Sequence, residues 1–243
     1  MDKQAREFLD TLLATPSPSG FEQKIQAVVR DRLDGIADEV VSDVHGNVMG
    51  VLNRGGSPRV MICGHCDEVG LIVTHVDEKG FISFSVIGGP DPATMRGQRV
   101  TILSAKGEVP GVIGKGPIHL EKGDDRGKGV KPEDIPSLFN DIGARDKKEA
   151  EKLVSVGDPI VYDLGVVELA NNRFAARACD DRVGVWVVVE ALRKLTKPKA
   201  ARDKLAAEVW CVSSVQEEVG LRGATTSSFA IDPDVGIAVD VGF

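Results

Sequence analysis

The stretch VMICGHCDEVGLIV, residues 60–73, places His65 two residues before Asp67 and brackets the histidine with Cys63 and Cys66. Three chemistries use such a set: a redox dithiol, a thiolate zinc site, or a histidine–carboxylate metal site. A redox pair works where a helix N-terminus or nearby cations lower the thiol pKa. Here Asp67 and Glu68 follow at once and another apolar run comes next, so the local charge has the wrong sign. A zinc site built on this CxxC needs a second partner pair, and Cys179 and Cys211 stand apart from each other. The simplest role for all four cysteines is as small buried apolar residues. Cys66 and Cys179, next to His65 and Asp180, would then make the site sensitive to oxidation.

Acids decide among the three. GHCDE (65–68), ACDDR (178–182), SSVQEEVG (213–220) and AVDVG (238–242) each put acidic residues or histidine at the end of an apolar run. Singly they are weak signals: a strand-end acid is commonly a cap, and adjacent glutamates are usually solvated. Together they would repel one another unless a cation neutralised them. One histidine with several carboxylates suits a borderline divalent ion such as Zn, Co or Mn. Glu217 and Glu218 are consecutive, so extended backbone would point them apart, one to ligate and one to face water. The same arrangement argues against a glycosidase pair, whose carboxyls must face each other across a sugar.

The elements around these residues say how they would be positioned. Ala5, Phe8, Leu9, Leu12 and Leu13 share a helical face over residues 3–14. Ser19 and Glu22 have capping-box spacing and open a second helix through about Leu33. A hairpin is expected around His45-Gly46-Asn47, followed by a buried strand RVMICGH that delivers His65. From Leu71 to about Tyr162 the texture becomes short strands cut by Gly and Pro, with DKKEAEKLV the one helical run. Strand–helix alternation then resumes, with a helix from DDRVGVWVVVEALRKL and buried strands AAEVWCVSSV and GIAVDVGF. Three of the acidic sites therefore follow strands and the fourth opens a helix, and open α/β sheets bind ligands at strand carboxyl ends.

Taken in order, GHCDEVG, CDDRVG, QEEVGLRGA and AVDVGF resemble the metal-dependent aminopeptidases of peptidase family M42, the glutamyl or deblocking type that forms tetrahedral particles. GGPDPATMRGQRV and IGARDKKEAEKLVSVGDPIVY resemble that family's inserted domain, and the likeness runs from the first helix to Phe243. The implied fold is α/β, a mixed-sheet metallopeptidase-type catalytic domain (1–71 and 164–243) interrupted by a small all-β inserted oligomerisation domain (72–163). The implied cofactors are two divalent metal ions, Zn or Co, with Mn also suited. By the resemblance His65, Asp180 and Asp240 hold one ion, and Asp180 bridges to a second held by Glu218. Glu217 matches the general base acting on a metal-bridged water, and Asp67 the acid that supports the histidine. Two ions about 3.5–4 Å apart can share a water, lower its pKa and polarise a scissile carbonyl. The family pattern continues past Phe243 with a further strand–helix stretch and a late histidine for the second ion. His45, His75 and His119 do not match that ligand, so the chain is expected to be most of a longer protein, lacking its C-terminal part.

The expected function is an aminopeptidase releasing N-terminal residues from short peptides, assembled as a homo-oligomer from dimer to dodecamer. Two alternatives stand beside it: a related two-metal amidohydrolase or deacylase, and a catalytically inactive assembly subunit. A formal net charge of −7 without a Lys/Arg block argues against a nucleic-acid partner. No run approaches the roughly 20 apolar residues of a membrane helix, and the first residues lack the pattern of a secretory signal. Four cysteines make no disulfide framework, so the cytoplasm is the expected location. Arg182 is expected to pair with acids beside it and fix their loop. GGPDP (88–92) is a turn cluster, His119 structural or at an interface, residues 121–134 a polar mobile loop, and 146–152 a solvated helix face.

Overall fold

The computed structural model describes residues 1–116, 130–197 and 199–242. His119 and most of the 121–134 loop lie outside the described residues. Two compact units form, one from Met1–Glu68 with Gly165–Phe243 and the other from Val69–Leu164. The first crossing falls after Glu68, not after Leu71 as expected, because Leu71 already pairs with Val86 and Ile160 in the second unit.

The α/β unit begins with α1 (Lys3–Ala14) and α2 (Gln23–Asp34). Asp2 caps α1 by accepting from the Ala5 amide at 2.9 Å, and the five apolar residues of the expected face are its buried ones. The four larger ones, Phe8, Leu9, Leu12 and Leu13, contribute roughly 1.5–3 kcal/mol each on full burial. The Ser19–Glu22 capping box does not form: α2 has no side-chain cap. Both side chains turn elsewhere, Ser19 to Asp67 and Glu22 to the amides of Gly20 and Gln216. Strands β1 (Glu39–Ser42) and β2 (Val48–Leu52) make the expected hairpin, and β3 (Arg59–His65) follows.

In the second unit, β4 (Gly70–Val76), β5 (Ile82–Ile87), β6 (Arg99–Ser104), β7 (Gly107–Gly114), β8 (Phe139–Asp141) and β9 (Pro159–Tyr162) close a barrel in the order β4-β5-β8-β7-β6-β9. Closure leaves no open sheet edge within it. One helix, α3 (Lys147–Leu153), and two short 3-10 turns at Pro92–Thr94 and Pro132–Ser137 complete its helical content among the described residues. Leu71, Ile82, Ile102, Ile113 and Ile160 fill its core.

The chain returns to the α/β unit through the hairpin β10 (Val167–Leu169) and β11 (Arg173–Ala175), then α4 (Cys179–Thr196), α5 (Lys199–Arg202), β12 (Glu208–Ser214), α6 (Arg222–Ile231) and β13 (Val235–Ala238). The sheet runs β1-β2-β12-β3-β13, with β12, β3 and β13 parallel and the β1–β2 hairpin antiparallel. α1, α2 and α4 supply Leu12, Ile25, Val29, Val185 and Leu192 to the larger core on one face. A smaller cluster of Met49, Met61, Trp210 and Ile231 lies apart from it. β12 is buried at every residue, as expected. β13 was expected to be buried and is exposed throughout, because it is the edge strand and pairs with β3 alone.

Candidate metal centre

Register assembles the site. Ser214 pairs with His65 across β12 and β3, so the loop carrying Glu217 and Glu218 leaves β12 level with the histidine. Ala238 pairs with Cys63 on the other side, and the Val239 amide extends that ladder to the Cys63 carbonyl at 2.8 Å. Asp240 therefore also emerges beside His65. The strand ends converge as the sequence order required.

The fourth contribution comes from the start of α4. Ala178 is left-handed (φ 54°), and Asp180 and Asp181 depart from helical angles, so the two acids lie on a turn ahead of the helix proper. The peptide between them is cis. Two glycines let this turn approach β3. A Cβ on Gly64 would stand 2.8 Å from backbone atoms of Gly184 and Val185, and one on Gly184 would stand 2.2 Å from Asp181 Oδ1. Asp181, fully buried, accepts from the His65 amide at 3.1 Å and the Gly184 amide at 2.9 Å.

His65 Nε2 stands 3.1 Å from Asp180 Oδ1 and 3.6 Å from Glu217 Oε2. Donor atoms bound ~2.0–2.2 Å from one divalent ion stand roughly 2.8–3.6 Å apart, from octahedral to tetrahedral geometry, so both distances fit a shared cation. Two sets have donor atoms all within 4.8 Å of one another: His65, Asp181 and Asp240, and His65, Glu217 and Glu218. Asp180 belongs to neither set, although its carboxylate is nearer to His65 Nε2 than that of Glu217. Asp181 already serves two backbone amides, whereas the Asp180 side chain is 56% exposed, so Asp180 is the freer to hold an ion. The consecutive glutamates do not point apart as strand residues would. They follow Gln216, left-handed at φ 54°, in a turn, and both carboxylates reach the same histidine.

Asp67 is fully buried and cannot touch a substrate directly. It accepts from Ser19 Oγ at 2.6 Å and from the amides of Glu217 and Glu218 at 3.0 and 3.2 Å, and lies 3.4 Å from His65 Nδ1. One carboxylate thus orients the histidine and the glutamate loop together. Burial works against its charge, but the bonds from His65, Ser19 and Glu217 hold it below the usual carboxylate range. Burial likewise opposes charge on His65, yet Asp67 beside it raises its pKa to about 9. Burial raises Asp181 to about 7, and burial with the Asp180 charge raises Glu218 to about 7. Glu217 is also raised, first by burial. These carboxylates resist ionising together, and a bound cation would relieve that.

Cys63 and Cys66 do not form a redox pair. Burial raises Cys63 above the usual thiol range and Cys66 well above it, which opposes the thiolate a redox pair requires. Cys66 is wholly buried, within the larger apolar core. Arg182 does not pair with Asp180 or Asp181. It is wholly buried and bonds to Glu68. From sequence alone, Asp181, Ser19, Glu22 and Glu68 take no role in supporting the site. Arg182, directly ahead of the apolar run VGVWVVV, was the signal for a buried partner, and the capping-box spacing of Ser19 and Glu22 masked their tertiary role.

A family model described as M42 glutamyl aminopeptidase matches residues 46–243. The lysyl aminopeptidase of Pyrococcus furiosus is 38% identical over 240 residues, which cover 98% of this chain and 66% of that protein. The chain thus spans just under two thirds of the length of this curated relative. A TET aminopeptidase from a marine sediment archaeon of the Thaumarchaeota superposes with a TM-score of 0.92 at 37% identity, covering 99% of this chain and 67% of the other. The TET1 peptidase of Pyrococcus horikoshii, which can assemble into a tetrahedron or a large octahedral shell, superposes with a TM-score of 0.84 at 32% identity, covering 97% and 68%.

Proposed function

The chain belongs to the M42 glutamyl aminopeptidase family, and from that premise we propose that it is a metal-dependent aminopeptidase releasing N-terminal residues from short peptides. The observation that carries this reading is the convergence of Asp180 and Glu217 on His65 Nε2 at 3.1 and 3.6 Å, with Glu218 and Asp240 in the two candidate ligand sets. His65, Asp180 and Asp240 would hold one divalent ion, and Asp180 with Glu218 a second, with Zn or Co the best suited to this donor set. When bound, such ions supply a water of lowered pKa and polarise the carbonyl under attack.

The chain's own residues do the rest. Glu217, partly exposed beside His65, takes the proton from the attacking water and passes it to the leaving amine. Asp67 holds the imidazole and the Glu217 amide in place while staying out of reach of substrate. Asp181 fixes the turn from which Asp180 projects. The acidic surroundings favour a substrate that carries a free ammonium group over one whose amine is acylated.

We assign the barrel unit to subunit association, giving a homo-oligomer between dimer and dodecamer, a reading supported by the assemblies of the related TET1 peptidase. The free cysteines suit a reducing compartment, and we place the protein in the cytoplasm. Among the described residues no helix is long and apolar enough to cross a membrane. A panel of short peptides with free and acylated N-termini, assayed with added Zn or Co, tests the activity. Cleavage of the free set that Glu217→Gln removes is expected. Preference for the acylated set would replace this function with a deacylase.

A further inference from the structure

A buried charge network joins the two chain segments that carry His65 and Asp180. Its centre is Glu68, 3% exposed. One carboxylate oxygen accepts from Arg182 Nη2 at 2.5 Å and from the Ser17 amide at 2.9 Å, and the other accepts from Arg177 Nε at 3.0 Å. Arg182 also donates to Ser17 Oγ at 2.7 Å and to the Leu13 carbonyl at 3.2 Å. Ser17 Oγ in turn donates to the Cys66 carbonyl at 2.7 Å. The arginines flank Asp180 on either side in sequence, and both end on one carboxylate that immediately follows Asp67.

We propose that Glu68 is a positioning residue, which sets the spacing between the β3 end carrying His65 and the turn carrying Asp180, and so the separation of the metal-binding atoms. The proposal rests on the metal-centre reading above. Each guanidinium puts one N–H on its own oxygen of Glu68 and others on Ser17, Leu13 or Ala14, so these charge-assisted bonds clamp the turn from both sides. Metal–ligand bonds tolerate errors of only about 0.2 Å, so a clamp on the ligand-bearing segments acts on affinity. A glutamine at this position keeps the size but turns an NH2 group toward an arginine, so one strut is lost.

The α/β unit also holds a control. Glu190, 4% exposed, pairs with Arg32 at 2.6 Å and with Arg193 at 2.6 Å. It is as buried and as doubly paired as Glu68, but it joins α2 to α4 and has no bond to the segments of His65, Asp180 or Glu217.

The test is Co(II) titration of the full chain, read by visible absorption and by affinity, with the melting temperature measured on each variant. Glu68→Gln is expected to weaken Co(II) binding by roughly tenfold or more and to change the absorption band. Arg177→Met, which removes a strut whose side chain is 12% exposed, is expected to shift both in the same direction by less. It carries the test if Glu68→Gln does not fold. Glu190→Gln is expected to lower the melting temperature and leave affinity and spectrum at wild-type values. Should the Glu68 and Arg177 variants lower only the melting temperature, the network is purely structural and the proposal fails, while the metal centre stands. A wild-type chain that binds no Co(II) would remove the metal centre itself, and the proposal with it.

Discussion

In the barrel, among the described residues, Asn140 is the one buried polar side chain. The buried polar set of the α/β unit includes His65, Asp67, Glu68, Asp181, Arg182, Glu190 and Glu208. Buried charge is costly unless paired or used. In the α/β unit almost every member has its partner, as with Asp67, which is tied to His65, Ser19 and two backbone amides. In the barrel, neither side-chain atom of Asn140 has a hydrogen-bond partner. The contrast separates a unit that spends core volume on orienting ligands from one whose core serves packing.

Breaking the chemistry without the fold should give the largest effect. Glu217→Gln removes the proposed base from a partly exposed loop, and a loss of about 10²–10⁴-fold in kcat is expected with little change in melting temperature. A rate within a few fold of wild type would show that another group moves the proton. The opposite dissociation is expected from the barrel. Ile82→Ala empties a fully buried site and should cost about 2–5 kcal/mol of stability. Chemical denaturation measures the loss, and Co(II) affinity should stay unchanged. A matching fall in affinity would mean that the two units are not energetically separate.

The acid cluster predicts a pH dependence that metal should erase. Burial raises Asp181 and Glu218 to about 7, against about 4 for unfolded carboxyls. A carboxyl raised in this way is penalised once it ionises, so stability falls as pH climbs from about 4 toward 7. On His65, burial opposes the proton but Asp67 overrides it and raises the pKa to about 9. Its contribution is complete below about 6.5 and lost as pH rises through about 9. The signs agree, so metal-free protein should melt progressively lower from pH 5 to pH 9, and saturating Zn should flatten the trend. Asp67, held low, acts in the opposite sense only below about pH 4. An apo profile that rises over this interval would contradict the placement of these charges. The smallest effect belongs to Asn140→Leu. Removing an unpaired buried amide should raise barrel stability by about 1 kcal/mol, and a loss of that size would reveal a partner for Asn140.

The site was legible in sequence wherever a residue lies at the end of a periodic element. His65, Glu217, Glu218 and Asp240 were found because strands read as apolar runs and parallel register brings their ends together. The supporting residues were not legible in that way. Glu68 is followed by an apolar strand and preceded by another acid, and only the fold brings Arg177 and Arg182 to it. Ser19 and Glu22 satisfied a local capping rule, and tertiary partners outcompeted it. The exposure of β13 has a related cause: apolar content marks a strand but not whether it has a neighbour on each side.

The most direct test is the divalent metal retained per folded chain, by elemental analysis after dialysis against trace Zn and Co, for wild type and His65→Ala. At least one ion per wild-type chain is expected, falling to none in the variant while the fold persists. A well-folded wild type that retains no ion, or a variant that retains as much, would contradict the metal centre.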